Sequence, residues 1–337
     1  MLGYHLSSLL LFITLNSLVN VQPADLRIGA EASIVADADR TACADPVASN
    51  IIFKSTDAGQ SWMDISSGLP ADFQVSNFYA GEAELYLGAG KGIYCSDRGL
   101  MTPVWKELNA VKPNSTFVPA GNSGVFAFSY NGGFFRKLHG TDFWMQEFSS
   151  FTEKSLRTVY ESNDGAVFIG CDNGLFKSTD QGATWKQVIE YGWVMRIVES
   201  DGVMLCQSQG GIQRSTDGGD NWEVVLNEGG VGIAVEVIEN GFAAINFNTS
   251  SESRRIRVSY DGGTSWQAID KGIPASLSIA SIKQVGKYFF CGHPDGIFRS
   301  ADNGKSWELL WPSIGEKVFN LEVVDGVIYA VAMDGGC

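Results

Sequence analysis

The chain has 337 residues, and its 24 Lys and Arg residues against 38 Asp and Glu residues give a formal charge of −14 at pH 7. Hydrophobic residues make up 45% of the chain and charged residues 18%, a composition that excludes intrinsic disorder. The acidic balance also excludes duplex nucleic acid and anionic membranes as partners, because contacts to phosphates need a basic face.

The N-terminal segment differs from the rest of the sequence, because residues 6–21 are mostly apolar and the first Lys or Arg is Arg27. A membrane-spanning helix needs about 20 predominantly apolar residues, whereas this run is shorter and is interrupted by Ser, Thr and Asn. We therefore expect residues 1–24 to be a secretory signal peptide, 25–49 a leader segment, and the protein to be secreted, periplasmic or on the cell surface. An uncleaved anchor and an ordinary N-terminus are the alternatives. No later stretch is apolar enough to span a bilayer.

One motif, Ser-x-Asp-x-Gly-x-x-Trp, which we call the box, recurs five times without a gap. The five copies are residues 55–62, 178–185, 215–222, 259–266 and 300–307. Two decayed copies, ending at Trp105 and Trp144, lie between the first and the second intact copy. The seven box tryptophans recur every 37 to 44 residues, a period typical of four-stranded β-propeller blades.

Each period also contains four short apolar or alternating runs. Residues 156–160 and 166–170, for example, flank an Asn-Asp-Gly sequence that indicates a β-hairpin. No stretch after the N-terminal segment has helical periodicity, so the sequence predicts an all-β chain. Residues 318–332 supply two further strands, and residues 50–66 supply the two strands that would complete the same blade. We therefore predict a seven-bladed β-propeller over 50–337, closed by strands from both termini, which leaves no open sheet edge.

The box is expected to form a turn. Its Asp can accept hydrogen bonds from backbone N–H groups two and three residues on, its Gly can adopt a positive φ, and its Trp is an apolar anchor. The motif resembles the Asp-box (BNR) repeat over essentially all of 50–337. In such families the boxes lie at the blade rim away from the ligand face, so the resemblance implies a structural role for the box aspartates. These are Asp57, Asp180, Asp217, Asp261 and Asp302.

The six cysteines show neither a Cys-x-x-Cys pair nor metal-ligand spacing, and the sequence has no P-loop or dinucleotide fingerprint. We therefore expect no metal and no cofactor. Cys171, Cys206 and Cys291 lie in apolar runs and are expected to be small buried hydrophobic residues. Cys43 and Cys337 would flank the closing blade, which makes a disulfide between them a hypothesis.

Sialidases also carry Asp boxes, and their chemistry uses three arginines around the substrate carboxylate, a Tyr nucleophile with a Glu, and an Asp acid/base. The resemblance offers Arg27, Arg40 and Asp45 as catalytic candidates. It fails further along, because Asn248 stands where a triad arginine belongs and the turn at His293 lacks the following arginine. Sialidases also have six blades. An exo-sialidase-like glycosidase with a degenerate arginine triad is therefore the alternative function. Whether the protein is an enzyme stays open, and the interpretation we favour is that it is not.

The chain is also similar to the propellers of photosystem II assembly factors and of xyloglucanases. Xyloglucanases place catalytic residues on two propellers across a cleft, which one ring cannot supply. Assembly factors use an arginine patch of which this acidic chain has only a hint. The description that fits best is a secreted propeller, monomeric, that acts as a binding or scaffold module for a glycan or protein ligand through the ring face.

The starts of the innermost strands should line such a ligand face. Aligning them places Asn77, Arg157, Arg196 and Asn320 in about the same register, with Trp193 close by, and these five are the predicted ligand-binding residues. Because the two arginines come from neighbouring blades, they could converge on an anion. The alternative is that they pair with Glu161 and Glu199 on their own strands, or point into a water-filled channel.

Overall fold

The computed structural model describes residues 48–334 except 91, 122, 123 and 154. These residues form 28 strands in seven four-stranded sheets and contain no helix. Neighbouring strands within every sheet are antiparallel, and the first strands of the sheets contact one another in a closed circle. The predicted all-β, seven-bladed propeller is therefore confirmed. The proposed signal peptide and the Cys43–Cys337 pair lie outside the described residues.

The closing blade, blade 1, contains β1 (Ile52–Ser55), β2 (Met63–Asp64), β27 (Val318–Val324) and β28 (Val327–Met333). Blade 2 contains β3 (Val75–Ala80), β4 (Glu84–Ala89), β5 (Gly92–Asp97) and β6 (Lys106–Glu107). Blade 3 contains β7 (Thr116–Ala120), β8 (Gly124–Phe128), β9 (Phe134–Leu138) and β10 (Met145–Glu147). Blade 4 contains β11 (Leu156–Glu161), β12 (Val167–Cys171), β13 (Gly174–Ser178) and β14 (Lys186–Ile189).

Blade 5 contains β15 (Val194–Ser200), β16 (Val203–Ser208), β17 (Gly211–Ser215) and β18 (Glu223–Leu226). Blade 6 contains β19 (Gly229–Ile238), β20 (Gly241–Asn248), β21 (Ser253–Ser259) and β22 (Gln267–Ala268). Blade 7 contains β23 (Ser281–Val285), β24 (Tyr288–His293), β25 (Gly296–Ser300) and β26 (Glu308–Pro312).

Blade 1 joins the two ends of the propeller, as the sequence predicts. Its strand order is β2-β1-β28-β27, so β28 lies between a strand from each end of the domain. Val331 of β28 is opposite Ile52 of β1 on one side and Asn320 of β27 on the other. Because both neighbours of β28 are hydrogen-bonded to it, the ring has no open sheet edge at this junction.

The core lies between the blades, because each sheet buries both faces against its neighbours. The second strand of a blade is therefore buried along its length, as in β8 and β12. Cys171, Cys206 and Cys291 are free and buried on such strands, as predicted. Burial raises the pKa of the Cys171 thiol to about 12, so this thiol stays protonated and unreactive at neutral pH.

The box turn is held by a short relay of hydrogen bonds. In the fourth intact copy, buried Ser259 accepts the N–H of Gly263 (2.9 Å) and donates its hydroxyl to Asp261 (2.8 Å). The Asp261 carboxylate accepts both the N–H (2.8 Å) and the hydroxyl (2.6 Å) of Ser265. The expected bond from the N–H two residues on is wrong, whereas the bond from three residues on is present at Asp217 (from the N–H of Asp220, 3.1 Å), and a bond from four residues on joins it. The serine hydroxyl already takes the N–H two residues after the aspartate, which leaves the carboxylate for the later donor.

The box glycine also packs against the preceding blade, a role that the sequence analysis missed. Gly304 has a φ of +77°, and a Cβ there would lie 2.4 Å from the Cβ of Ile269 in blade 6. A Cβ on Gly219 of blade 5 would lie 2.5 Å from the ring of Phe168 in blade 4. The box therefore fixes the spacing between neighbouring blades as well as its own turn.

The box aspartates should make the fold sensitive to acid. The hydroxyl four residues on, and then that residue's backbone N–H, lower the pKa of Asp57, Asp180, Asp261 and Asp302 to about 2. Because this lies below the ordinary value of about 3.9, their stabilisation is present above pH 4 and is lost between pH 4 and pH 2. Urea unfolding at a series of pH values should show this loss, with a shallower acid decline in Asp261→Asn. Asp142→Asn, which changes a carboxylate with no hydrogen bond among the described residues, should leave the decline unchanged.

Candidate binding cavity at the ring axis

The ring has two distinct faces. The box face carries the boxes and the hairpin turns between first and second strands, and the chain enters each first strand from the opposite side, which we call the entry face. A cavity of about 350 Å³ lies at the axis toward the entry face. It is lined by the first strands of blades 1, 2, 5, 6 and 7, so side chains distant in sequence meet there.

Four charged side chains from four consecutive blades form what we call the axial ion ring. Arg196 contacts Glu236 (Nη2–Oε2, 2.8 Å), and Glu236 contacts Lys283 (Oε1–Nζ, 2.9 Å). Lys283 contacts Glu322 (Nζ–Oε2, 3.0 Å), and Glu322 Oε1 lies 3.8 Å from Arg196 Nη1. Two positive and two negative charges meet, so the ring carries no net charge.

The four members of the axial ion ring differ in exposure. The side chains of Arg196 and Glu322 are 41% and 30% exposed, whereas those of Lys283 and Glu236 are 8% and 14% exposed. Desolvation lowers the pKa of Arg196, but Glu236 and Glu322 raise it by more, so the pKa is raised overall. Desolvation raises the pKa of Glu322, but Lys283 and Arg196 outweigh it and lower the pKa. Arg196 and Glu322 therefore stay ionised and face the cavity as a charged pair.

Three of the five predicted ligand-binding residues line this cavity: Asn77, Arg196 and Asn320. Arg157 does not, because no described residue of blade 4 is in the lining. Arg157 also lies at a bulge that β3, β11 and β15 share, one position before the register of Asn77 and Arg196. Trp193 precedes β15 and also lies outside the cavity lining. The predicted shared register is therefore corrected for Arg157, and a binding role for any of the five residues stays a prediction.

The two arginines do not converge. Arg157 pairs with Asp172 and lies over the ring of Tyr130, whereas Arg196 belongs to the axial ion ring. The expected pairing with Glu161 and Glu199 of their own strands is wrong, and Arg196 instead lines the axial cavity. Glu161 and Glu199 have other partners. An anion entering here would meet arginines that already have carboxylate partners.

Glu161 pairs with Arg136 at 3.0 Å, and Glu199 accepts the hydroxyl of Tyr160 at 3.2 Å. Burial, followed by the Glu199 charge, raises the pKa of Tyr160. This phenol therefore stays protonated at neutral pH, which is the inactive form of a nucleophile.

Asn77, Gln207 and Asn320 are the amide side chains in the cavity lining, and the last two have only weak partners. Gln207 donates its Nε2 to the thioether of Met195 at 3.7 Å, and Asn320 donates its Nδ2 to the thioether of Met333 at 2.7 Å. All four residues line the cavity, and in the described part of the chain neither amide has an oxygen partner for its side chain. Thioether sulfur is a weak acceptor, so these amides retain most of their capacity for a ligand.

The sequence analysis missed Glu236, Lys283 and Glu322. The signal was present, because each is a charged residue within the apolar innermost strand of its blade. A charge on a strand that is otherwise apolar needs a partner or a polar cavity. Pairing the three positions required knowledge of which strand starts meet at the axis.

A larger cavity, of about 680 Å³, lies on the box face between blades 2 and 3. Four of its charged side chains pair with one another, Arg98 with Asp325 (2.6 Å) and Lys137 with Glu84 (2.6 Å). We prefer the axial cavity as the candidate site, because the amides of Gln207 and Asn320 there have only thioether partners. Over the described ranges, no cluster of three or more His, Cys, Asp or Glu residues could hold a metal ion, and no helix could cross a membrane. The catalytic candidates Arg27, Arg40 and Asp45 lie outside the described residues.

No family model matches this chain, and no curated protein matches it. Solved structures do match. The extracellular domain of BT4673 from B. thetaiotaomicron superposes with a TM-score of 0.56 at 11% identity, over 76% of this chain and 39% of that one. The GH74 xyloglucanase from Xanthomonas campestris gives 0.60 at 15% identity, over 82% and 53%. YCF48 bound to D1 peptide gives 0.53 at 14% identity, over 86% and 87%.

This chain thus spans about two fifths of the BT4673 domain and about half of the xyloglucanase. At these identities the similarity shows the β-propeller fold alone.

Proposed function

We propose that this protein is a secreted Asp-box β-propeller, a binding or scaffold module that recognises a glycan or protein partner through the axial cavity. The observation that carries the proposal is the set of amides in that cavity whose side chains have only thioether partners. A ligand that offers oxygen partners replaces these weak bonds to sulfur with stronger hydrogen bonds. Asn77, Arg196 and Asn320 would contribute to binding, whereas Arg157 and Trp193 would contribute only to a partner that extends over the entry face.

Three further observations support parts of this proposal. The five intact boxes share one hydrogen-bond relay, which supports assignment to the Asp-box repeat. The apolar N-terminal segment supports secretion, as does the similarity to the extracellular domain of BT4673. The propeller of YCF48, which is similar in fold, binds a D1 peptide, so a ring of this size has room for a partner of that kind.

The glycosidase alternative has less support. A sialidase-like site needs three arginines around a carboxylate, and among the described residues Arg196 is the one arginine in the cavity lining. Arg196 already pairs with Glu236, and a substrate carboxylate at its other terminal nitrogen would lie beside the Glu322 carboxylate. Tyr160 and Glu199 form the kind of pair that such an enzyme uses, but neither residue lies in the cavity lining with Arg196.

A pair of tryptophan substitutions tests the proposed site. Ser76 is exposed at the cavity, so Ser76→Trp should block it. Ala183 is exposed in a box turn on the opposite face, so Ala183→Trp is the matched control. Ligands selected with the unmodified protein on a glycan array and a displayed peptide library should bind Ser76→Trp at least tenfold more weakly. Their affinity for Ala183→Trp should be unchanged.

The reverse pattern, with binding lost in Ala183→Trp and kept in Ser76→Trp, would place the binding surface on the box face. Equal binding to both variants would exclude both sites. Thermal unfolding of each variant establishes that a loss of binding is not a loss of fold.

A further inference from the structure

The axial ion ring has one open link. Three of its contacts are hydrogen-bonded at 2.8 to 3.0 Å, but Arg196 Nη1 and Glu322 Oε1 are 3.8 Å apart, beyond hydrogen-bond distance. The two side chains at this link are also the two most exposed of the four. A donor and an acceptor are therefore presented side by side to the cavity.

A hydroxyl group fits this open link in a way that a charged group does not. Because it is both donor and acceptor, one hydroxyl can accept from Arg196 Nη1 and donate to Glu322 Oε1. A carboxylate at the same place would face the Glu322 carboxylate, and an ammonium would face Arg196 and Lys283. Like charges brought together in a partly desolvated site are unfavourable, so both kinds of ion are disfavoured.

The remaining cavity wall fits the same chemistry. The amides of Gln207 and Asn320 can exchange a thioether partner for a hydroxyl oxygen. Met195 is 37% exposed and offers an apolar contact of the kind that the C–H face of a sugar makes. The volume of about 350 Å³ lies at the small end of the range for small-molecule pockets, about 300 to 1,000 Å³.

We infer that the axial cavity takes an uncharged, polyhydroxylated ligand, a single neutral sugar ring at the end of a glycan, and discriminates against acidic and amino sugars. This inference rests on the proposed binding function and names its ligand class. One ring hydroxyl bridges Arg196 and Glu322, and neighbouring hydroxyls bind Gln207 and Asn320. The sialidase-like alternative requires the opposite preference, for a carboxylated sugar.

Matched sugars that differ in charge provide the test. The probes are the methyl glycosides of glucose, galactose, mannose and N-acetylglucosamine, with glucuronate and N-acetylneuraminate as anions and glucosamine as the cation. Titration of the full-length protein, followed by calorimetry and ligand-observed NMR, should show binding of at least one neutral glycoside. Glucuronate and glucosamine should bind at least tenfold more weakly than that glycoside.

Three variants locate the selectivity. Glu322→Gln removes the repelling carboxylate, so the preference for the neutral sugar over glucuronate should fall at least tenfold. Glu239→Gln removes the same charge from an exposed turn on the box face and should change nothing. Asn320→Ala removes an amide with a thioether partner and should weaken the neutral sugar several-fold with an unchanged thermal midpoint. Because Asn320→Ala leaves the axial ion ring intact, it tests the inference even if Glu322→Gln is less stable.

The inference is wrong if no neutral glycoside binds, or if glucuronate or glucosamine binds as tightly as the neutral sugars. If acidic glycans or peptides bind and Ser76→Trp abolishes that binding, the proposed binding function stands and the neutral-sugar inference fails. If neutral sugars bind the unmodified protein and Ser76→Trp equally, the axial cavity is not the site and both proposals fail.

Discussion

Replacement of Gly304 by alanine should lower the free energy of unfolding by about 2–5 kcal/mol, because two separate penalties act at this position. The residue has a φ of +77°, which a side chain disfavours by about 1–2 kcal/mol. The new Cβ would also lie 2.4 Å from the Cβ and 2.8 Å from the carbonyl oxygen of Ile269. Overpacking of this kind costs about 1–3 kcal/mol and would force blades 6 and 7 apart.

Gly272→Ala is the matched control for this prediction. Gly272 has a φ of +95°, but a Cβ there would meet nothing within 4 Å, so only the backbone penalty applies. Urea unfolding of both variants should therefore place Gly304→Ala below Gly272→Ala by the cost of the contact. Equal losses would show that the box glycine sets only the turn and has no part in blade spacing.

Val331→Pro should have the other large effect, a loss of about 3 kcal/mol or more in the free energy of unfolding. Val331 is fully buried in β28, between Ile52 of β1 and Asn320 of β27. Proline removes an N–H from this central strand and so opens the junction that closes the ring. The expected result is a lower urea midpoint, with association of the opened sheet edges visible by size-exclusion chromatography.

Val331→Ala separates the backbone from the side chain at the same position. It keeps the N–H and removes two methyl groups from the core, which costs about 1–3 kcal/mol. The alanine variant should keep the ring closed and should elute from size-exclusion chromatography at the volume of the unmodified protein. Closure by β28 would be contradicted if the proline variant were no less stable than the alanine variant.

Most of the fold could be predicted from the sequence because each repeat contains the same turn and strand signals. Every intact box supplies a serine, an aspartate and a glycine at the same turn, and apolar runs at fixed offsets supply the strands. The spacing of the box tryptophans therefore determined the number of blades. The missing half of the last blade could be completed only by residues 50–66, so closure followed as well.

Details that depend on three-dimensional contact were not accessible in this way. The position of Arg157 was misjudged by one residue because Arg157 itself occupies the bulge that β3, β11 and β15 share, and nothing in its local sequence marks the bulge. One donor expected for the carboxylate of Asp261, the N–H of Gly263, was wrong because the neighbouring hydroxyl of Ser259 accepts it instead. Both errors arise from single hydrogen bonds, which a hydrophobic pattern does not encode.

The candidate site was predicted only in part for a related reason. Asn77, Arg196 and Asn320 were found because strand starts in a propeller face the axis. Glu236 and Lys283 were missed because their partners come from other blades, more than 35 residues away in sequence. A ring of charges around an axis is a property of the closed fold, and no single repeat contains it.

The central claim is that the partner binds at the axis from the entry face, and hydrogen–deuterium exchange with the array-selected ligand tests it most directly. The innermost strands present one unpaired edge to the axis, so some of their amides are open to exchange when no ligand is bound. We expect ligand binding to slow amide exchange at the starts of β3, β15, β23 and β27 and to leave exchange in the box turns unchanged. Protection confined to the box turns or to the outer strands would contradict it.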